Sequence, residues 1–153
     1  GKRRVDVNLL AEAAARQHEP AAERKQISLG TQLAETLPLA HCDAALVYQA
    51  VANLTSNALK FTPRGGRVMI ATRADDGRVR VEVRDTGPGV PAAERELLFR
   101  ENVRLTPRPT SGEESNGLGL AIVKHLVESK AGRVGADFPP EGGSCFWFEL
   151  PSR

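Results

Sequence analysis

The 153-residue sequence predicts an α/β sandwich, in which helices pack on a mixed sheet. Three observations carry this. Apolar and polar residues alternate at Ile27–Leu33 and from Arg78 to Asp85, the period of half-buried strands, and Arg67–Arg73 and Ser144–Leu150 also read as strands. Between Asp43 and Phe61, Leu46, Val47, Ala50, Val51, Leu54, Ala58 and Phe61 recur at helical spacing. Turn signals such as Asp75-Asp76-Gly77 join neighbouring strands as hairpins, while helical stretches are inserted between others.

In chain order, Val5-Asp6-Val7 reads as a short edge strand. Asn8 can cap a helix from Leu9 to about Lys25, with Leu9, Leu10, Ala13, Ala14 and Ala21 on one face. Pro20 should bend or divide that helix. Ile27–Leu33 alternates as a strand, and Leu37–His41 as a shorter one. Asp43 caps the central helix, which stops near Thr62-Pro63. Gly65-Gly66 turns into the hairpin strands, where Val79, Val81 and Val83 face inward and the charges of Arg78–Arg84 form a solvated face. Pro91–Phe99 reads as a short helix, Leu118–Lys130 as the last long one with Gly132 as its C-cap, and Arg133–Phe138 and Ser144–Leu150 as closing strands.

At 41% hydrophobic and 26% charged, the chain suits one domain, with no repeats and no second domain. A net charge of +2, with both signs mixed, points to neither nucleic acid nor an anionic membrane. Cys42 and Cys145 have no metal-ligand spacing and read as reduced thiols of a cytosolic protein. No apolar run approaches the roughly 20 residues of a membrane helix. The start at Gly1-Lys2-Arg3-Arg4 reads as a cut from a longer protein, with any targeting or membrane segment upstream.

Three motifs concentrate the chemistry. On the central helix Asn53, Asn57, Lys60 and Phe61 lie three or four positions apart, on one side. The period of two carries Asp85 to the inner side of its strand end, where a carboxylate needs a partner, and Gly87 and Gly89 let something approach. Gly117-Leu118-Gly119-Leu120 opens a helix whose unpaired N–H groups suit phosphates. Arg100–Asn116, aperiodic and rich in Pro, Ser, Thr, Glu and Arg, reads as a lid between the last two. If the motifs converge, Lys60 adds a cation to phosphates and Asn57 offers a neutral oxygen to Mg²⁺. Asp85 accepts from an adenine amino group, and Val90 and Phe61 supply apolar walls. The composite is a Mg·ATP site.

The order and content of these motifs resemble the catalytic, ATP-binding domain of bacterial two-component sensor histidine kinases, in the superfamily shared with gyrase, Hsp90 and MutL. Asn53–Phe61 resembles the N box, Asp85–Gly89 the G1 box, Phe99 the start of the F box, and Gly117–Leu120 the G2 box. Gly143-Ser144-Cys145-Phe146 is similar to the last box, whose hydroxyl assists the adenine carboxylate through water. The resemblance implies the Bergerat (GHKL) fold, with three main helices on a mostly antiparallel sheet and ATP under a mobile lid. It implies Asn53 and Lys60 at the transferring phosphates, Asn57 on Mg²⁺ and Asp85 on adenine. It further implies transfer to a histidine on a separate dimerisation and phosphoacceptor domain, a cognate response regulator, and a cytoplasmic domain whose parent can be anchored in the inner membrane. The fragment alone is then monomeric.

Of the chain's own histidines, His41 and His125 sit at or on helices, and in His18-Glu19-Pro20 the proline follows too soon for an acceptor motif. Ser115 replaces a G2 glycine, Asn102 the second F-box aromatic, and Glu141 a glycine of the last box. Two alternatives stay open. A hydrolytic ATPase of the superfamily would carry glutamate at Asn53, and a carboxamide is a poor base. A degenerate module would bind ATP, or nothing, and work by docking to partners.

Overall fold

The computed structural model describes residues 3–97, 123 and 132–152. In order these are β1 (Arg3–Val5), α1 (Val7–Arg24), β2 (Ser28–Gln32), β3 (Ala40–Cys42) and α2 (Ala44–Phe61). Then come β4 (Arg67–Asp75), β5 (Arg78–Asp85), a 3₁₀ segment (Ala92–Leu97), β6 (Arg133–Asp137) and β7 (Ser144–Pro151). Five strands form one sheet in the order β2-β4-β5-β7-β6. Its β2–β4 pair is parallel and its other pairs antiparallel, so the sheet is mixed and mostly antiparallel. β1 and β3 form a separate antiparallel pair. Two long helices lie among the described residues. Of the third expected helix, only Val123 is described, helical and buried in the core.

α1 and α2 cover one face of the sheet, which explains the valine alternation. Val79, Val81 and Val83 of β5 and Phe148 and Leu150 of β7 are buried against Val47, Ala50, Val51, Leu54 and Ala58 of α2. Asp43 caps α2 as expected, its Oδ1 accepting from Ala45 N at 3.0 Å and Leu46 N at 3.3 Å. These bonds, led by that from Leu46, hold the Asp43 carboxyl below the usual aspartate range. Asp76 and Gly77, both with positive φ, make the tight hairpin turn between β4 and β5.

The N-terminal expectations need correction. β1 ends at Val5, and α1 starts at Val7 with Asp6 as its cap, accepting from Asn8 N. Asn8 bridges instead: it donates to Ala34 O at 2.9 Å and accepts from Thr72 Oγ1 at 2.6 Å. This tertiary pairing wins over a local cap because Thr72 is buried and needs a partner. The inward face of α1 is accordingly Val7, Ala11, Ala14, Ala15 and Ala22, while Leu9 is 61% exposed. Pro20 lies inside a continuous helix and does not divide it. The strand expected at Leu37–His41 forms at Ala40–Cys42, and the described part of the short helix expected at Pro91–Phe99 is 3₁₀, over Ala92–Leu97. Cys42 and Cys145 are buried thiols, not joined in a disulfide.

The charged side of β5 is not a solvated face. Arg80 and Glu82 are only 8% and 5% exposed, and Glu149 of β7 only 2%. Alternation along β5 puts Arg80 and Glu82 on one side, where Arg80 Nε donates to Glu82 Oε2 at 2.8 Å, and cross-strand register brings Glu149, whose Oε2 accepts from Arg80 Nη1 at 3.2 Å. Arg84 completes Glu82, and Arg133 completes Glu149 at 2.7 Å. The Arg80 guanidinium lies 4.0 Å from the Trp147 ring centroid. Trp147 in turn rests against Gly135, where any Cβ would come within 2.3 Å of the indole. Long side chains thus roof this side of the sheet and shelter Arg80, Glu82 and Glu149 from water, while Arg84 and Arg133 stay half or more exposed.

A second buried charge ties α1 to the end of α2. Lys25 is 6% exposed, and its ammonium donates to Leu59 O at 2.8 Å and Lys60 O at 2.9 Å, carbonyls of the last α2 turn. Lys25→Met should keep the buried stem but leave those carbonyls without the ammonium. We expect a loss of about 2–3 kcal/mol in urea unfolding. A loss below about 0.5 kcal/mol would show that water replaces the ammonium.

No helix among the described residues is long and apolar enough to cross a membrane.

Candidate nucleotide site

The site forms where β5 ends beside the second half of α2. A cavity there is lined by Asn57, Ala58, Phe61, Asp85, Pro88, Gly89, Val90, Ser144 and Phe146. The antiparallel register places Asp85 opposite Ser144 and Val83 opposite Phe146, so the G1-like and last-box-like motifs meet across one strand pair. Asp85 Oδ1 accepts from Gly87 N at 2.8 Å, and the Ser144 backbone N–H also donates to the carboxyl. Burial dominates these bonds and raises the Asp85 pKa to about 6. Such a carboxylate lacks full solvation and gains from a further donor. The free volume is about 20 Å³, room for about one water. A purine ring therefore requires these walls to part.

Glycines set the shape of the rim. Gly143, at φ +84°, crosses so close to β5 that a Cβ would lie 2.3 Å from Asp85 O. Gly89, at φ +75°, faces Gly143 O at 3.3 Å from its would-be Cβ. A Cβ on Gly87 would press on Asp85 Oδ1 and Phe61 O at 3.0 Å each. These glycines let the rim backbone pack closely around Asp85, where any side chain would collide.

On α2, Asn57 Nδ2 donates to Asn53 Oδ1 at 3.2 Å, so the two carboxamides face each other one turn apart. That bond turns the donor end of Asn57 to its neighbour. Phe61, Val90 and Ser144 are buried at the cavity. Lys60 lines a neighbouring groove between α1 and α2, separate from the Asp85 cavity. Gly117, Leu118, Gly119 and Leu120 lie outside the described residues, as do the lid segment 100–116, Phe99, Asn102 and Ser115.

Ala58, Pro88 and Phe146 are wall residues that sequence reasoning missed. Phe146 was legible, because it shares the inward period of Phe148 and Leu150. Arg95 was not. Its Nε donates to Val90 O at 3.0 Å while its guanidinium lies 4.3 Å from the Phe138 ring centroid, which clasps the rim from outside.

The sequence profile described as histidine kinase-, DNA gyrase B- and HSP90-like ATPase matches residues 42–153, the chain from the last residue of β3 onward. The chain belongs to this ATPase family. Among relatives of this ATPase domain, the adaptive-response sensory kinase SasA of Thermosynechococcus vestitus is 35% identical over 150 residues, 97% of this chain and 39% of SasA. The sensor protein IrlS of Burkholderia pseudomallei is 33% identical over 99% of this chain and 32% of its own length. The chain thus spans about a third of the sensor kinases it matches. The solved structure of full-length ShkA in complex with AMPPNP superimposes with a TM-score of 0.83 at 34% identity, covering 99% of this chain and 31% of ShkA. The catalytic domain of the histidine kinase ThkA has the same fold as this ATPase domain, with a TM-score of 0.86 at 24% identity over 99% of this chain and 96% of that one.

Proposed function

We propose that this chain is the ATP-binding catalytic domain of a two-component sensor histidine kinase. In that role it binds Mg·ATP and transfers the γ-phosphoryl group to a histidine on a separate helical domain. The observation that carries this is one cavity that joins a half-desolvated Asp85 and its glycine rim to Asn57 of α2, itself paired with Asn53. The donor set fits its ligands. Asp85 only accepts, matching an exocyclic amino group, and Phe61, Val90 and Phe146 supply apolar walls for the base. Asn57 Oδ1 is a hard neutral oxygen suited to Mg²⁺, which when bound neutralises phosphate charge.

Asn53 lines the phosphates, and Lys60 reaches them on its flexible stem. In this reading the Gly117-Leu118-Gly119-Leu120 motif, known from the sequence alone, supplies further donors to the phosphates. Transfer breaks the bond between the γ-phosphorus and the β–γ bridging oxygen, whose electrons leave with ADP. A P–N bond forms to an imidazole nitrogen, which releases its proton. Such a step needs positioning and charge neutralisation more than a base. Asn53, a carboxamide, does not activate water, which favours transfer over hydrolysis. A cognate response regulator then takes the phosphoryl group; ThkA, of the same fold, has been solved with the response regulator TrrA. The reading places the domain in the cytoplasm, with any anchor of the parent upstream.

Calorimetric titration with ATP and GTP, with and without Mg²⁺, tests the binding half. Transfer of label from γ-labelled ATP to the parent's helical domain tests the chemistry. We expect adenine-selective, Mg²⁺-strengthened binding and label on histidine. Absence of binding at millimolar nucleotide sinks the proposal.

A further inference from the structure

The free volume beside Asp85 is about 20 Å³, so a purine enters only when the walls part, and what holds them together governs entry. Two of those walls are Val90 and Phe146, 5% and 9% exposed. Phe146 belongs to β7, which is paired on one side with β5 and on the other with β6, and is fixed in the sheet. Val90 belongs to the rim after β5, where residues 86–91 are neither helix nor strand and Gly89 has φ +75°. The rim is therefore the wall that can move.

One side chain ties this rim to the sheet without lining the cavity. Arg95 Nε donates to Val90 O at 3.0 Å, and the same guanidinium lies 4.3 Å from the Phe138 ring centroid. Phe138 meets Phe146 edge-on, with centroids 6.0 Å apart and planes at 90°. A continuous path thus runs from one wall to the other, Val90 to Arg95 to Phe138 to Phe146, around the outside of the cavity. An exposed arginine over an aromatic ring is often no more than cover for that ring. Cover does not require the second bond, which goes to the backbone of the wall that moves.

We propose that Arg95 is a positioning residue that latches the base cavity shut, so that nucleotide entry requires Arg95 to release Val90 O or the Phe138 ring. It touches no ligand and acts through Val90 and Phe146. The proposal rests on the nucleotide reading of this cavity. A surface cation on a ring and a single hydrogen bond are each weak, so the latch lowers the parted population by about fivefold without blocking it. Because the parted form is the one that binds, removing the latch tightens binding. Loss of a contact that merely supports the bound base would weaken it.

Stopped-flow mixing of the whole chain with Mg²⁺ and ATP carrying a fluorescent ribose ester reads association and dissociation separately. Arg95→Ala should associate about fivefold faster and dissociate at an unchanged rate, so that it binds about fivefold more tightly. Phe138→Leu should do the same, and the double variant should gain no more than either alone, because both break one path. Arg95→Lys, which keeps a cation at the ring, should fall between wild type and Arg95→Ala. Deuterium exchange without nucleotide should rise about fivefold at residues 86–91 in Arg95→Ala and stay unchanged in β4, a split that a general loss of stability does not give. If Arg95→Ala unfolds the chain, Arg95→Lys and Phe138→Leu carry the test. Unchanged association, or weaker binding through faster dissociation, overturns the latch and leaves the nucleotide reading standing. Single effects that multiply in the double variant would give the two side chains separate roles and overturn it equally. Absence of nucleotide binding by the unaltered chain and by every variant sinks the nucleotide reading, and the latch with it.

Discussion

Asp85→Asn should weaken nucleotide binding about a hundredfold and at the same time make the folded chain more stable. The carboxyl has a folded pKa of about 6 against an ordinary 3.8, so the folded state holds its proton more tightly than the unfolded chain. Stability from this group is therefore fully present below 3.8 and is lost as pH rises to about 6. Above that, ionised Asp85 carries a penalty of roughly 3 kcal/mol. Asparagine keeps the shape without the charge. Its NH₂ must still be desolvated, so the net gain at neutral pH should be about 1–2 kcal/mol in thermal or urea unfolding.

Binding responds in the opposite sense. The present Oδ1 already accepts from Gly87 N, and the Ser144 N–H also points at the carboxyl. An asparagine must turn its NH₂ either to those donors or to the amino group of adenine. Both arrangements oppose donor to donor, and affinity should fall about a hundredfold. For the unaltered chain, the apparent Kd for ATP should rise about tenfold from pH 7 to pH 5, as the carboxylate is protonated. A folded Asp85→Asn that keeps ATP affinity within about threefold removes Asp85 from base reading. A flat pH profile would show that the carboxyl is ionised throughout this range.

The second large effect is expected at Arg80, far from the nucleotide. Arg80→Ala takes the shared partner from Glu82 and Glu149, both buried. Removing one member of a buried ion pair costs about 3–5 kcal/mol. Because Arg84 and Arg133 still reach the two carboxylates, we expect about 3 kcal/mol. Burial by itself would raise Glu82, but the hydrogen bonds from Arg80 and Arg84 outweigh it and hold its pKa below 4.5. Its contribution is therefore present above pH 4.5 and is lost as pH falls through the lower folded value.

The gap between wild type and Arg80→Ala should accordingly narrow in acid, where protonation removes the unpaired charge. Trp147, the single tryptophan, should report the change as a shift in fluorescence, because its stacked guanidinium is gone. An Arg80→Met/Glu82→Met/Glu149→Leu replacement should recover most of the stability, since apolar groups of similar volume need no partner. Equal stability of Arg80→Ala and wild type would mean that water enters and solvates the two glutamates.

The amino-acid order by itself determined what depends on near neighbours. Asp43 caps α2 through bonds two and three residues away, and Asp76-Gly77 turns the hairpin within two residues. The valines of β5 set its inward face and carry Asp85 to the strand end beside Gly87 and Gly89. Spacing on α2 likewise brought Asn53 and Asn57 together. These are consequences of periods of 2 and 3.6 and of local side-chain reach.

Only the tertiary structure decided the fate of groups whose partners are distant in sequence. Asn8 has the composition of a cap, yet its partner Thr72 stands 64 positions away. Arg80 and Glu149, 69 apart, turned an apparently solvated stripe into a buried network. Lys25 looks like the last charge of a surface helix until Leu59 O, 34 residues on, takes its ammonium. A charged residue enters the interior only where the fold supplies its counter-group. Periodicity tells which way a side chain points, and the assembled sheet and helices decide what it meets there.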